Sequence, residues 1–448
     1  GGSVDHVRRV LAGQSIYPPP SVDFAAFTYP PLYPWASAAV AWVTGTGFLP
    51  LRIVSIGASI ATMVVLAVFV QNRTGRWLPG LVAAGVFAAA FRVTGAWYDV
   101  GRVDSLFVLL LVGAVTVAVS TKTWRGAAMA GALFALTALT KQTGVIVAVP
   151  VGAYLLVRRP RIGLVLLSTF AVPLVAATLI LDAVSNGWYR YETIDILLGH
   201  PVEGGAWLSF PFDDILLHLL PALVLVAAAI ALARWRPELS RRFAGVELVA
   251  VAAMIAGAWI ARLHQGGYDD VLIPAFAGMA LLTGLAVGRL RPARLSASLA
   301  IAGACVVQLA VLAYNPVAQL PTSQDVAAGR SFVAAVRAVP GEVLVVSHPW
   351  YGVMAGKAPH VQAAAYFDII RSSDSGARER IQSSVAAAVR QHRYGAIVFD
   401  TPGDEREFTP ELARYYRPVQ APTLKPGDPG LRPVTDIGVR PTYWWVPR

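Results

Sequence analysis

This sequence of 448 residues carries little charge. Charged residues make up 14% of the chain and hydrophobic residues 56%, against about 25% and about 45–50% in soluble domains. A soluble chain with so few charges could not cover its surface with groups that water solvates. The composition excludes a purely cytosolic protein, a disordered chain and a nucleic-acid binder with a basic patch. It indicates an integral membrane protein.

Cysteine is also nearly absent. Cys305 stands alone in an apolar run, so the chain has no disulfide framework and no cysteine metal site. The histidines lack metal-type spacing, since His348 and His360 have no partner at i, i+4. Lysine is scarce: four of the 37 basic residues are Lys. This bias, with abundant Ala, Gly and Val, is typical of a GC-rich bacterial genome.

Ten apolar runs predict a bundle of membrane-spanning helices over residues 51–315. Several runs are shorter than the ~20 residues that cross about 30 Å of hydrocarbon, and tilt or burial inside the bundle would accommodate them. The runs cover residues 51–70, 78–92, 104–119, 126–140, 143–157, 162–182, 214–233, 244–261, 271–288 and 295–313.

The loops between these runs differ in their content of Lys and Arg. The loops fall into two alternating sets: the first set holds 14 Lys and Arg residues in total, and the second set holds five. Because Lys and Arg gather in cytoplasmic loops, we expect the first set to be cytoplasmic. The second set then faces outward, together with residues 1–50 and the C-terminal part. This asymmetry explains most of the formal net charge of +11, so no nucleic-acid partner is expected.

The first 50 residues predict an outward loop. The segment Pro34–Val43 is apolar but too short to span, and we expect a helix in the interface with Trp35 and Trp42 at headgroup level. The opening Gly1-Gly2-Ser3 is no natural start. We therefore expect a truncated N-terminus that has lost a first span.

From residue 316 onward the pattern changes to that of a soluble domain. A helix-compatible stretch (325–338) precedes a strand-like run, Glu342–Ser347. A second helix candidate (376–392) precedes another strand, Ala396–Asp400. Alternating helices and strands predict a small outward α/β domain over residues 316–448.

Polar residues concentrate in the outward loops, where ionisable groups indicate function by default. A carboxylate could take a proton from an acceptor hydroxyl, Lys or Arg could hold a phosphate, and aromatic rings could stack on a sugar. A structural explanation stays open for single residues: Asp104 can cap a helix, and Lys141 can extend its ammonium to the interface. The collective pattern favours function.

Several segments resemble GT-C membrane glycosyltransferases, with family 39-like and aminoarabinose-transferase-like enzymes as the nearest types. The resemblance covers about residues 4–315. The segments that carry it, in chain order, are Gly13, Tyr17, Phe27–Trp35 (FTYPPLYPW), Asp104-Ser-Leu, Leu139-Thr140-Lys141 and His264-Gln-Gly-Gly-Tyr268. No single motif is specific, but their order matches the predicted topology.

The resemblance implies a GT-C-like bundle of about ten spans plus the missing first one, with a C-terminal α/β domain. It implies a polyprenyl-phosphate-linked sugar as donor, a glycan or lipid acceptor, and transfer on the extracytoplasmic face of a bacterial inner membrane. A divalent metal cofactor is compatible with the family, and nothing in the sequence decides it.

The resemblance also implies roles for individual residues. The family's acidic pair would fall just ahead of Gly1, about eight residues before Arg8-Arg9, so Asp5 is the only carboxylate left in that helix. Asp5 and Asp104 are therefore the predicted catalytic residues, and no residue is predicted to bind a metal. Arg8, Arg102 and Lys141 are predicted to bind the donor phosphate. Substrate contacts are predicted for Tyr29, Tyr33, Asp99, His264 and Tyr268.

Three other functions remain open. A lipid-linked sugar flippase or transporter would favour polar residues at mid-membrane and repeated halves, whereas here polar residues lie at span ends on one side. A non-enzymatic scaffold would tolerate loss of the outward carboxylates. A catalytically inactive paralogue is compatible with the missing upstream acid.

Overall fold

The computed structural model describes residues 1–425, 427–431, 433, 435 and 440–448, and it is mostly helical. The predicted interfacial segment lies within α2, and all ten predicted runs form helices. The helices up to residue 311 are α1 (Gly2–Leu11), α2 (Leu32–Thr44), α3 (Phe48–Thr74), α4 (Trp77–Ala89), α5 (Asp104–Ser120), α6 (Trp124–Ala138), α7 (Gly144–Arg158), α8 (Pro160–Val184), α9 (Trp188–Arg190), α10 (Ile196–Gly199), α11 (Ala206–Ser209), α12 (Leu217–Trp235), α13 (Gly245–Leu263), α14 (Ile273–Arg289) and α15 (Leu295–Val311).

Helix length separates two classes of apolar helix. Within the described residues, four shorter apolar helices are α4, α5, α7 and α15. Five helical segments there are long and apolar enough to cross a membrane: Phe48–Thr74, Pro160–Val184, Ala206–Trp235, Gly245–Leu263 and Asp269–Arg289. The chain is a multi-pass membrane protein, and the side that each loop faces stays a prediction.

Helix α14 is the centre of the bundle. Of the most apolar window in Asp269–Arg289, 83% is buried, compared with 11% in α8. Helix α14 packs against α3, α4, α5, α12 and α13, and its sequence is apolar on every side, which suits an enclosed helix. Glycine allows the close approach: a Cβ on Gly284 would lie 2.7 Å from the Cβ of Ala83.

An ion triad centred on the buried Glu247 joins three helices at the C-terminal end of α14. Arg289 donates to both carboxylate oxygens of Glu247 at 2.8 Å, and Arg73 donates to Glu247 Oε1 at 2.9 Å. The Glu247 side chain is fully buried. The triad therefore joins α3, α13 and α14 by charge-assisted hydrogen bonds.

The C-terminal part forms a four-stranded sheet in the order β1-β2-β4-β3. Strands β1 (Glu342–Val345) and β2 (Tyr394–Phe399) are parallel, and β4 (Tyr443–Pro447) pairs antiparallel with both β2 and β3 (Tyr416–Val419). The predicted small α/β fold is confirmed, and the sequence prediction missed β3 and β4. The helices of this part are α16 (Ser323–Ala338), α17 (Trp350–Met354), α18 (Ala363–Arg371), α19 (Ser375–Arg390), α20 (Asp404–Phe408) and α21 (Leu412–Tyr415).

The sheet domain packs against two of the predicted outward loops. Its hydrophobic core includes Val22 from the first loop and Tyr191 and Ile196 from the third. Hydrogen bonds reinforce this contact: Tyr191 Oη lies 3.2 Å from Ser372 Oγ. The loops and the sheet domain therefore lie at the same end of the bundle.

Glu192 is buried at this junction without compensation. Its side chain is fully buried, and neither carboxylate oxygen has a hydrogen-bond partner among the described residues. Burial, reinforced by the negative charge of Asp368, raises the pKa of Glu192 well above its ordinary value. Burial therefore favours the neutral form of this carboxyl.

Replacing Glu247 by Gln should destabilise the bundle. Removing one partner of a buried ion pair costs about 3–5 kcal/mol, because the remaining charges stay buried. We expect Glu247→Gln to lower the free energy of unfolding by about that amount, measured by denaturant unfolding in micelles.

The control for this variant is Glu238→Gln. Glu238 is 59% exposed and lies 3.8 Å from Arg236, a surface pair worth about 0–1 kcal/mol. Equal effects of the two substitutions would contradict a stabilising role for the triad.

Replacing Glu192 by Gln should change the pH dependence of stability. The pKa of Glu192 in the folded state lies above the unfolded value of ~4.3. Its contribution to the stability of the folded state is therefore complete below pH ~4.3 and is lost as the pH rises, because the unfolded state ionises first. Gln stays neutral throughout. The melting temperature of Glu192→Gln should therefore rise relative to wild type between about pH 4 and pH 8. The exposed Glu203→Gln should show no such trend, and a pH-independent difference for Glu192→Gln would overturn the expectation.

Candidate functional site

An ion cluster forms where three helix ends meet. Asp104 begins α5, Lys141 lies in the turn between α6 and α7, and Asp270 lies in the 3-10 turn Asp269–Leu272 that leads into α14. Lys141 Nζ donates to Asp104 Oδ1 at 2.6 Å and to Asp270 Oδ2 at 3.3 Å. All three side chains are at least nine-tenths buried. One ammonium therefore bridges two carboxylates.

Arg102 completes the ion cluster, which we define as Arg102, Asp104, Lys141 and Asp270. Arg102 Nε lies 3.8 Å from Asp104 Oδ2, and its guanidinium donates to Tyr29 Oη at 2.7 Å. The guanidinium also lies 4.5 Å from the centre of the Trp97 ring, a cation–π contact. Two cations and two carboxylates thus share one site with no net formal charge.

Both cations of the cluster keep their charge. Burial disfavours the ammonium of Lys141, but the neighbouring carboxylates Asp104 and Asp270 outweigh it and hold the pKa above its usual value. Burial also opposes the charge of Arg102, and Tyr29 with the same carboxylates raises the pKa of Arg102. The cluster therefore presents fixed positive charge in a low-dielectric setting.

The turn that carries Lys141 is held from two sides. Gln142 Nε2 donates to the carbonyls of Thr28 at 2.6 Å and Thr193 at 2.7 Å. These carbonyls belong to the first and third predicted outward loops. These side-chain hydrogen bonds fix both loops on the turn.

Two narrow cavities flank the ion cluster. One, of about 10 Å³, is lined by Lys141 and apolar residues of α5, α7 and α13. The other, of about 20 Å³, lies between α1 and the cluster and is lined by His6, Tyr29, Tyr33 and Arg102. The cluster therefore borders both the apolar bundle and the first loop.

The predicted residues of the first loop occupy different positions. Asp5 is buried in α1 and pairs with Arg8 at 3.4 Å, and the described contacts of Arg8 do not include the ion cluster. Burial raises the pKa of Asp5 above its ordinary value, against the opposing charge of Arg8. Tyr33 is buried, and its hydroxyl donates to the Leu51 carbonyl at 3.0 Å.

The remaining predicted residues are Asp99, His264 and Tyr268. Asp99 pairs with the exposed Arg52. His264 follows α13, and its Nδ1 is buried without a hydrogen-bond partner among the described residues. Tyr268 is 40% exposed and lies two residues before Asp270. The structure thus joins Arg102, Asp104, Lys141 and Tyr29, and it keeps Asp99 apart.

Sequence analysis missed Asp270. It follows Tyr268 in the same polar outward loop, and a second acidic residue beside a predicted substrate contact was the available signal. Its partner Lys141 lies 129 positions away, and no local pattern reports such a distant pairing.

The described residues do not contain a metal site. Among them, no three side chains of His, Cys, Asp or Glu come together as a metal ion would require.

Comparison with known proteins identifies the fold. Residues 28–188 match the family described as dolichyl-phosphate-mannose-protein mannosyltransferase. The sequence matches no curated protein significantly.

Solved structures of low sequence identity match nearly the whole chain. ArnT from Cupriavidus metallidurans bound to undecaprenyl phosphate superimposes with a TM-score of 0.60 at 12% identity, covering 99% of this chain and 92% of that one. An oligosaccharyltransferase from Archaeoglobus fulgidus tethered with an acceptor peptide gives 0.50 at 12% identity, covering 98% and 69%. The chain therefore has the GT-C fold of membrane glycosyltransferases, and over residues 28–188 it carries the sequence pattern of the mannosyltransferase family.

Proposed function

We propose that this protein transfers a sugar from a polyprenyl-phosphate donor to a glycan or lipid acceptor on the extracytoplasmic face of a bacterial inner membrane. The observation that carries the proposal is the pair of cations, the buried Lys141 and the partly exposed Arg102, at one end of a bundle with the GT-C fold. The undecaprenyl phosphate bound to the similar ArnT structure supports a lipid phosphate as the ligand.

The ion cluster has the chemistry to hold a phosphate. An ammonium has three donors, and the two carboxylates take two of those on Lys141. The third is available to a phosphate oxygen. The Arg102 guanidinium adds a planar set of donors that suits phosphate, and both groups lie in a setting that strengthens charge-assisted hydrogen bonds.

Asp104 acts here as a positioning residue rather than as a base. Its side chain is 1% exposed and accepts the shortest hydrogen bond of Lys141, at 2.6 Å. A carboxylate paired with two cations is a poor proton acceptor. With Asp270, it orients the ammonium and offsets the cost of burying it.

Asp5 is the proposed base. The acceptor hydroxyl gives its proton to the Asp5 carboxylate as its oxygen attacks the anomeric carbon. The bond from that carbon to the phosphate oxygen breaks, and the polyprenyl phosphate leaves with the electron pair. A pKa raised by burial brings a carboxylate closer to the range that favours proton transfer at neutral pH. Positioning and electrostatics supply the remaining rate enhancement.

Replacing Lys141 should abolish donor use. We expect Lys141→Met to lower release of sugar from a panel of radiolabelled polyprenyl-phosphate sugars by at least about tenfold, since a charge-assisted contact to phosphate is lost. The assay uses the protein in lipid vesicles, and binding of undecaprenyl phosphate is measured in parallel.

Lys122→Met is the matched control for that variant. Lys122 is an exposed lysine in the turn at the opposite end of α6, so both sugar release and lipid binding should match wild type. Equal activity of wild type and Lys141→Met would contradict the proposed phosphate site. Binding of a lipid-linked sugar without turnover by wild type would instead favour the flippase or the inactive paralogue.

Replacing Asp5 should separate chemistry from binding. We expect Asp5→Asn to lower sugar transfer by at least about tenfold while undecaprenyl phosphate still binds, because the described partner of Asp5 is Arg8 and neither Lys141 nor Arg102. The exposed Asp213→Asn serves as control. Full transfer by Asp5→Asn would assign the base to another carboxylate.

A further inference from the structure

The C-terminal sheet domain has a cavity that the proposed transfer does not use. Its volume is about 290 Å³, close to the lower end of the range of about 300–1,000 Å³ for small-molecule sites. The residues that carry its chemistry are Glu405, Gln420, Lys425, Thr442, Tyr443 and Trp445.

The cavity lies at the carboxyl ends of β2 and β3. Both strands run antiparallel to β4, and Phe399 pairs with Tyr443 while Val419 pairs with Trp444. The ends of β2 and β3 and the start of β4 therefore meet at one edge of the sheet. In open α/β sheets, this edge is the usual place for a ligand.

The polar groups of the wall suit a neutral ligand that bears hydroxyl groups. Glu405 offers acceptors, Lys425 offers donors, and Gln420 and Thr442 offer both. The formal charges of Glu405 and Lys425 cancel. The wall therefore complements groups that donate and accept, rather than an anion or a cation.

Aromatic side chains supply the apolar part of the wall. Tyr443 and Trp445 are half-buried, and such rings present a flat apolar face together with a polar edge. Trp444 also lines the cavity, and its side chain packs against Phe332 in the core of the sheet domain.

The loop that carries Glu405 is held in place before any ligand arrives. Asp400 follows β2, and its Oδ2 lies 2.8 Å from Nε2 of His348. The next turn is closed by hydrogen bonds from Thr401 N to Asp404 at 3.1 Å and from Gly403 N to Glu405 Oε2 at 2.9 Å. A preformed wall reduces the entropy lost on binding.

We propose that this cavity binds a sugar unit of a neutral glycan. The apolar face of the sugar ring stacks on the aromatic wall, and its hydroxyls bond to Glu405, Gln420 and Thr442. That this glycan is the acceptor rests on the proposed function, whereas glycan binding itself does not.

The test measures binding of mannotriose, galactotriose and arabinotriose to the full chain in lipid nanodiscs without donor. Saturation-transfer NMR detects contact, and isothermal titration gives the dissociation constant. We expect at least one trisaccharide to bind with a Kd of about 1 mM. Glu405→Gln and Gln420→Ala should each weaken that binding by about fivefold, the effect of one lost hydrogen bond.

Glu407→Gln is the matched control. Glu407 is exposed on the same short helix as Glu405 and does not line the cavity, so this variant should bind as wild type does. Absence of binding by all three sugars at about 10 mM, or binding that survives both cavity substitutions, overturns the proposal. Because no donor is present, neither result depends on whether sugar transfer occurs.

Discussion

The arrangement of the site depends on the electrostatic cost of burying Lys141. An ammonium in a low-dielectric environment is stable only if opposite charges lie beside it. Asp104 and Asp270 supply them at 2.6 and 3.3 Å. Because the three residues stand at the ends of different helices, the pairing fixes the start of α5, the α6–α7 turn and the start of α14 relative to one another. Arg102 and Tyr29 are then positioned by contacts with these fixed helix ends, since Arg102 lies beside Asp104 and donates to Tyr29 Oη.

Much of the bundle could be predicted because its signals are local. Every apolar run became a helix, since a long apolar segment in lipid must satisfy its backbone hydrogen bonds internally. The resemblance to GT-C enzymes predicted Lys141, Asp104 and Arg102 as site residues, and each lies at the end of a predicted span. Asp270 was missed, because its role exists only through a contact with a residue far away in the sequence.

The sheet domain shows the same limit. Its first strand and first helix followed from residues 325–347, whereas β3 and β4 carry too many Pro and Trp residues for a clear alternating pattern. Val22 and Tyr191 belong to its core, although both lie far before residue 316. A hydrophobic core assembled from three separate segments has no continuous sequence signal. The predicted boundary at residue 316 therefore marks where the domain begins in the sequence, but it leaves out earlier residues that pack in the domain's core.

Helix α14 is fastened at both ends. Asp270, in the turn before it, bonds to Lys141, and Arg289, its last residue, bonds to Glu247. A helix held by ion pairs at both ends cannot slide along its axis or rotate without breaking a buried ion pair. Helix α14 therefore keeps a fixed position at the centre of the bundle. Any movement of the bundle must therefore come from peripheral elements such as α8, which is largely exposed, while the central helix keeps the residues of the ion cluster in place.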